Sequence, residues 1–269
     1  MEKDLVAKIV EIENKFAILK PYLEKHHEFR GLINIQSKIC RKPEILFIGI
    51  NPGQGAFIKM NYQKKDVKFP NGLLSNPFHF DNLDLDWLKF DNARKEGAWF
   101  EKNKNVNNPF PKKMLDILFN IYEGKFGKID FKNIKIQENF INEIANKIVY
   151  TNICPIATKD ENELKKIYKK LFKEEKLNNH WNDGTIKNFF RQKTIDLILE
   201  LQPKLIVCIG FSVYKDLFLA ETSKKEKVFY TKSSFKRQNL EYSFPTVTFS
   251  RKGAWNIKEI SKLIMETRI

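Results

Sequence analysis

The stretch that decides the fold is EILFIGINPGQG, residues 44–55. A short run of large apolar residues ends in a cluster of Gly, Asn and Pro, which is typical of a buried parallel strand whose carboxyl end opens into a sharp loop. In open α/β sheets, ligands bind beside the carboxyl ends of the strands. Asn51 is the first polar side chain after this strand, and Pro52 stiffens the backbone directly behind it. We therefore expect the functional site to converge on Asn51.

Three further apolar runs predict strands that alternate with helices. With the first strand at 44–50, these runs lie at 147–152, 204–210 and 245–249. Helical spacing of apolar residues predicts helices at 3–20, 111–123, 136–146, 161–175, 186–201 and 211–219, and a last helix that ends near 267. Strands separated by helices favour a parallel sheet covered on both faces. The predicted fold class is α/β, a three-layer sandwich with a central, mainly parallel four-stranded sheet flanked by helices.

The domain organisation follows from what interrupts this pattern. Pro21 marks a break after the first helix, and the lysine-rich segment 221–242 is predicted to be a hairpin or loop. Residues 54–108 are irregular and rich in Asn, Asp, Lys, Gly and Phe, which is typical of functional loops or an insertion. With no internal repeat, linker or clean boundary, we predict a single domain over residues 1–269.

Composition restricts the class of protein and the class of partner. The chain has 269 residues, 42% of them hydrophobic, and the 23 Phe argue against a disordered chain. It carries 48 Lys and Arg against 33 Asp and Glu, a formal charge of +15. This balance favours a polyanionic partner, nucleic acid first, although scattered lysines are also typical of a plain solvated surface.

The cysteines and the amino-terminal segment bear on metal binding, membrane association and cellular location. Cys40, Cys154 and Cys208 lie far apart without metal-ligand spacing, so we expect no zinc or iron–sulfur site and a reducing compartment. The charged first 20 residues lack the apolar core of a signal peptide, and no run approaches a membrane span. We expect a cytoplasmic monomer without a membrane partner, nucleoid-associated if the source is bacterial.

Polar residues follow three of the four predicted strands. They are Asn51, Asn152 and the pair Ser250-Arg251. Taken singly, Asn and Ser at strand ends are more often turn residues that bind their own backbone. The third strand instead runs through Gly210 into a helix, whose amino end is a potential phosphate site.

Together these strand ends resemble the uracil-DNA glycosylase superfamily. GINPG at 49–53 is similar to its first motif, closest to the mismatch-specific and single-strand-selective monofunctional branches, in which Asn replaces the Asp of the prototype uracil enzymes. YTNICP at 150–155 resembles the base-reading strand end of the single-strand-selective branch. PKLIVCIG at 203–210 and RKGAW at 251–255 resemble the third strand and the end of the second catalytic motif.

The resemblance implies hydrolysis of the N-glycosidic bond of uracil, or of a related deaminated or damaged base, extruded from DNA into a pocket. It implies a reaction without metal or cofactor. Asn51 would orient the attacking water, and Asn152 would read the base by accepting from N3–H and donating to O4. An aromatic ring would stack on the base, with Phe69 preferred and Phe57 as the alternative. The remaining implied contacts are Gly49, Pro52 and Gly53 for the substrate and Ser250, Arg251, Lys252 and Trp255 for DNA.

The second motif departs from the family. Phe249 or Ser250 stands where the family usually has a His that stabilises the leaving base, so a contribution of a few kcal/mol is missing. The mismatch-specific branch also lacks this His, and Arg251 is a candidate replacement. The departure keeps open a non-catalytic binder of modified or single-stranded DNA. A third alternative is an enzyme of free nucleotides that binds phosphate at the Gly210 helix start.

Overall fold

The structure, a computed structural model, describes residues 2–23, 25, 31–32, 35, 37, 39–51, 109–126, 143, 147–158, 160–172, 186–220, 227–251 and 253–267. The predicted insertion 54–108 lies outside the described residues, as does all of the predicted helix 136–146 except Glu143. The single-domain organisation stays a prediction.

Helices separate the four predicted strands in the order that the sequence predicts. The helices are α1 Glu2–Asn14, α2 Lys20–Leu23, α3 Pro109–Phe126, α4 Glu161–Phe172, α5 Ile186–Leu201, α6 Phe211–Phe218 and α7 Ile257–Thr267. The strands are β1 Gly31–Leu32, β2 Ile45–Gly49, β3 Ile148–Asn152, β4 Ile156–Ala157, β5 Ile206–Ile209, β6 Val228–Arg237 and β7 Leu240–Phe249.

The central sheet of the described residues has the strand order β3-β2-β5-β7-β6. The first four strands are parallel, and β6 pairs antiparallel with β7 at the edge. The chain steps from β2 to β3 on one side and then returns to β5 on the other side. This reversal is a topological switch point, where open α/β sheets bind ligands beyond the carboxyl ends of their strands.

Helices cover both faces of the sheet, because successive strand residues point to opposite faces and both sets are apolar. Phe47 and Val207 lie in one buried cluster with residues of α3 and α7. Leu46 and Ile206 lie in another with residues of α1, α5 and α6. The arrangement is mixed α/β with a mostly parallel sheet between two helical layers, as the sequence predicts.

The sheet has one strand more than the four predicted. The predicted strand 245–249 begins at Leu240, and the lysine-rich segment before it contributes the ten-residue strand β6. Gln238 and Asn239 form the two-residue turn between them, both with positive φ, as the twist of a tight hairpin requires. The sequence predicts a hairpin or loop here, and the structure shows a hairpin, with charged side chains on β6 that are typical of edge strands.

The amino-terminal helix ends earlier than predicted. Helix α1 stops at Asn14, and residues 17–19 form a 3-10 turn before α2, which contains Pro21 in its first turn. The break directs Phe16 into a third buried cluster, where its ring lies 5.9 Å from Phe189 and 5.8 Å from Phe190. Among the described residues, every helix is too short or too polar to cross a membrane.

Candidate functional site

The segments that leave β2 and β3 stay side by side beyond the ends of the strands. The backbone N–H of Ile153 donates to the carbonyl of Gly49, and that of Cys154 donates to the carbonyl of Ile50, both at 2.9 Å. The ladder therefore continues past the last paired residues of the two strands. It holds Asn51 against the chain that follows β3, at the carboxyl edge of the sheet.

Asn51 is nearly buried and anchored through its amide nitrogen. Nδ2 donates to the carbonyl oxygen of Ile156 and to Oγ1 of Thr158, each at 3.1 Å. Thr158 donates its own hydrogen to the carbonyl of Asp160, so Oγ1 can only accept from Asn51. The network therefore fixes which end of the carboxamide is nitrogen. Both N–H donors are committed, so any further polar contact of the group is made by acceptance through Oδ1.

Asn152 ends β3 and lies opposite Gly49 on β2. Its side chain is fully buried, and its Oδ1 accepts a hydrogen bond from the Tyr150 hydroxyl at 3.2 Å. A Cβ at position 49 would approach Asn152 Oδ1 to 2.7 Å and Tyr150 Oη to 3.1 Å. Gly49 is thus required by the close approach of these side chains. Because Asn152 has no exposed surface, a base can reach it only if neighbouring groups move.

The Tyr150 hydroxyl keeps its proton at neutral pH. Burial is the largest influence and raises the pKa of Tyr150 well above its ordinary value, while the positive charge of Arg251 acts in the opposite direction. A protonated phenol is a hydrogen-bond donor, which agrees with its position against a carbonyl oxygen.

Arg251 brings the end of β7 to the same edge. Its Cβ lies 3.5 Å from where a Cβ on Gly210 would stand, and Ile50 Cδ1 lies 3.8 Å from that point. Gly210 itself has φ 118°, a conformation that favours glycine. The residues that follow β2, β5 and β7 therefore converge, and Arg251 is exposed among them. A guanidinium at this place can bind a phosphate or stabilise an anion.

Ser250 and Trp255, two other predicted DNA contacts, are less exposed than Arg251. Ser250 is half-buried, and its backbone N–H donates to the Lys227 carbonyl at 3.0 Å. Trp255 packs edge-on against Phe249, with ring centroids 4.8 Å apart, and is only 9% exposed. A cavity of about 400 Å³ lies between this segment, the start of β6 and α7, with Ser250 and Trp255 among its lining residues. Trp255 thus has a packing role, and its contact with DNA stays a prediction.

Several predicted site residues lie outside the described residues. They are Pro52, Gly53, Phe57, Phe69 and Lys252. The stacking ring, the substrate contacts of Pro52 and Gly53 and the DNA contact of Lys252 therefore stay predictions.

Sequence reasoning missed two residues that hold the candidate site together. Tyr150 lies two residues before Asn152, and the two-residue period of a strand places both on one face, so this signal was available. Thr158 had none, because its link to Asn51 depends on how the chain runs after β3.

Metal and thiol chemistry find no support in the described part of the chain. It contains no group of three or more His, Cys, Asp or Glu residues that could hold a metal ion. Burial raises the pKa of the Cys154 thiol to about 12, and the Cys208 thiol has the same value for the same reason. Both thiols are protonated at neutral pH, so neither is an activated nucleophile.

Comparison with known proteins gives no family: no protein-family model and no curated protein matches this chain.

Proposed function

We propose that this protein is a DNA glycosylase of the uracil-DNA glycosylase superfamily, closest to its single-strand-selective monofunctional and mismatch-specific branches. It would hydrolyse the N-glycosidic bond of uracil, or of a related deaminated or damaged base, in base excision repair. The observation that carries the proposal is the placement of two carboxamides, Asn51 and Asn152, at the carboxyl ends of neighbouring parallel strands. This is where an open α/β sheet binds its ligand.

Asn51 is suited to orient the attacking water. Its two N–H donors are held by Ile156 and Thr158, so a water can only donate to its Oδ1. A water that donates one hydrogen keeps its lone pair for attack on the sugar carbon. A neutral amide is a weaker base than a carboxylate, which predicts a slow enzyme.

Asn152 is suited to read the base. A fixed carboxamide accepts from the N3–H of uracil and donates to O4, whereas cytosine presents the opposite pattern at these positions. A mismatched pair leaves buried polar groups unsatisfied, and this is the most effective form of discrimination between similar ligands. The full burial of Asn152 supports the proposal on this point, since the penalty requires a site without water.

Charge supports DNA as the partner. The formal charge of +15 favours a polyanion, and Arg251 lies exposed beside the two carboxamide strands. There it can bind a phosphate, or stabilise the departing base in place of the missing His.

Release of uracil from single- and double-stranded oligonucleotides tests the proposal. We expect Asn51→Ala to lower the rate about a hundredfold or more, because the water loses its anchor. Asn120→Ala is the matched control, since it removes a carboxamide that donates to the Asp116 carbonyl on α3. Equal release by Asn51→Ala and wild type would contradict the catalytic role of Asn51. An inactive wild type would contradict the glycosylase itself.

A second candidate is a protein that binds modified or single-stranded DNA without cleaving it. It is favoured by the absence of His from the second motif. Salt-sensitive binding of uracil-containing DNA, with the uracil still attached after long incubation, would select this candidate.

A further inference from the structure

We propose that Tyr150 is a positioning residue: its hydroxyl holds the Asn152 carboxamide in the orientation that fits uracil, and so sets selectivity for uracil over cytosine. The inference rests on the proposed function, because it adds a residue to the base recognition assigned there to Asn152.

Tyr150 lies in direct contact with the Asn152 carboxamide, as the proposed role requires. Tyr150 and Asn152 share one face of β3, and the hydroxyl lies 3.2 Å from Asn152 Oδ1. Gly49 on the neighbouring strand leaves the space in which the phenol and the carboxamide meet, since a Cβ there would be 2.7 Å from Oδ1. Both side chains are at most 5% exposed, so water does not compete for this hydrogen bond.

Orientation matters because a carboxamide has two unlike ends. Rotation by 180° exchanges the Asn152 carbonyl oxygen and amide nitrogen, which turns a reader of uracil into a reader of cytosine. Selectivity therefore requires a neighbour that favours one orientation. A hydroxyl that donates favours the carbonyl oxygen on its side and disfavours the amide nitrogen.

The positive charge of Arg251 favours the direction in which this hydroxyl points. A phenol can donate or accept, so by itself it does not distinguish the two ends of an amide. The positive charge of Arg251 acts on the Tyr150 oxygen, because it lowers the pKa of Tyr150 against the larger effect of burial. A cation attracts the oxygen lone pairs and repels the hydroxyl hydrogen, which agrees with the donation of that hydrogen to Asn152 Oδ1.

Tyr150→Phe tests the inference, because it removes one oxygen and leaves the ring in the core. The readout is the ratio of uracil to cytosine activity on matched oligonucleotides, measured as base release. The same ratio is measured as binding, with 2′-fluoro nucleotides that resist cleavage. We expect this ratio to fall about tenfold in Tyr150→Phe. Tyr214→Phe is the matched control, since this buried hydroxyl bonds Ser233 and lies in the cluster on the other face of the sheet.

Two variants of Arg251 separate orientation from general DNA affinity. Loss of a phosphate contact lowers uracil and cytosine activity alike and leaves their ratio unchanged. Arg251→Met is expected to lower the ratio, because the cation that aligns the phenol is gone. Arg251→Lys keeps the charge and is expected to keep most of the ratio.

The outcomes distinguish this inference from the proposed function. An unchanged ratio in Tyr150→Phe overturns the inference while an active wild type preserves the glycosylase. A wild type that binds uracil selectively without releasing it overturns the glycosylase, and a loss of that selectivity in Tyr150→Phe still supports the inference. A wild type that shows no preference in either readout overturns both.

Discussion

Asn51 Nδ2 lies 3.1 Å from Thr158 Oγ1, a residue 107 positions further along the chain. Thr158 in turn donates to the carbonyl of Asp160, whose carboxylate accepts from the backbone N–H groups of Asn162 and Glu163 at the start of α4. This carboxylate caps the amino end of the helix, and a cap of this kind contributes about 1 kcal/mol to stability. The carboxamide proposed to hold the water is therefore fastened to the amino end of a helix.

Replacement of Thr158 by Val tests whether this anchor serves the proposed chemistry. The substitution keeps the shape and removes the hydroxyl, so Asn51 loses one of two acceptors while its other bond remains. We expect uracil release to fall about tenfold and the unfolding free energy to fall by about 1 kcal/mol. Thr158→Ser retains the hydroxyl and serves as the control. Equal rates in the Val and Ser variants would show that the anchor is unnecessary for release.

Asn51→Asp is expected to damage the site although it supplies a stronger base. The Asn51 nitrogen faces the carbonyl oxygen of Ile156, and a carboxylate there would set two acceptors against each other in a nearly buried place. The pKa of the new carboxyl would be raised. The variant would then be most stable at acidic pH and would lose stability as the pH rises through that pKa.

Thermal unfolding at pH 4 and pH 8 measures this effect. Asn51→Asp is expected to be less stable than Asn51→Ala at pH 8, with the gap reduced or removed at pH 4. A carboxylate variant that equals the alanine variant at both values would show that the Ile156 carbonyl does not select an amide here.

The strand ends were readable from the sequence because each depends on local pattern. The runs at 44–50 and 204–210 are mostly apolar without alternation, as is typical of buried parallel strands. Asn51 and Pro52 follow the first run, and Gly210 ends the second. The sequence predicts the segment of edge strand β6 only as a hairpin or loop. Its pairing with β7 is expressed through exposed lysines and a Gln-Asn turn, and neither signal is strong in one sequence.

The candidate site could be predicted only in its first members. Asn51 and Asn152 follow strands directly, so their placement at one edge is a consequence of parallel pairing. Thr158 and the contact between Gly210 and Arg251 depend on tertiary approach between segments far apart in the chain. No local pattern encodes such an approach.

Gly49→Ala is expected to disturb the base reader more than the fold. Position 49 has an ordinary φ, so the cost comes from the 2.7 Å approach of the new methyl group to Asn152 Oδ1. We expect a loss of about 1–3 kcal/mol in unfolding free energy and a loss of uracil selectivity, as Asn152 is displaced.

Gly253→Ala is the contrasting control, because its Cβ would meet nothing within 4 Å while its φ of 79° is strained for any other residue. This control is expected to lose about 1 kcal/mol with unchanged selectivity. If both variants alter selectivity alike, steric displacement of Asn152 is not the cause.

The two buried thiols predict a specific loss of stability in alkaline solution. The pKa of Cys154 and of Cys208 is about 12 in the folded chain against an ordinary 9.0, because burial disfavours the thiolate. Between these values the unfolded chain loses a proton that the folded chain retains. Stability is therefore complete below pH 9 and declines up to about pH 12, on the order of 1 kcal/mol per pH unit for each thiol.

Replacement of Cys208 by Ala isolates this contribution from those of other groups that titrate above pH 9. We expect the unfolding free energy of Cys208→Ala to decline less steeply than that of wild type between pH 9 and pH 10.5, in denaturant titrations followed by circular dichroism. Cys154→Ala removes the other buried thiol and is expected to reduce the slope in the same way. Parallel slopes for wild type and Cys208→Ala would contradict this prediction, because they would mean that the thiol ionises equally easily in the folded and unfolded chain. Since Cys208 is fully buried, such ionisation would require the strand around it to open.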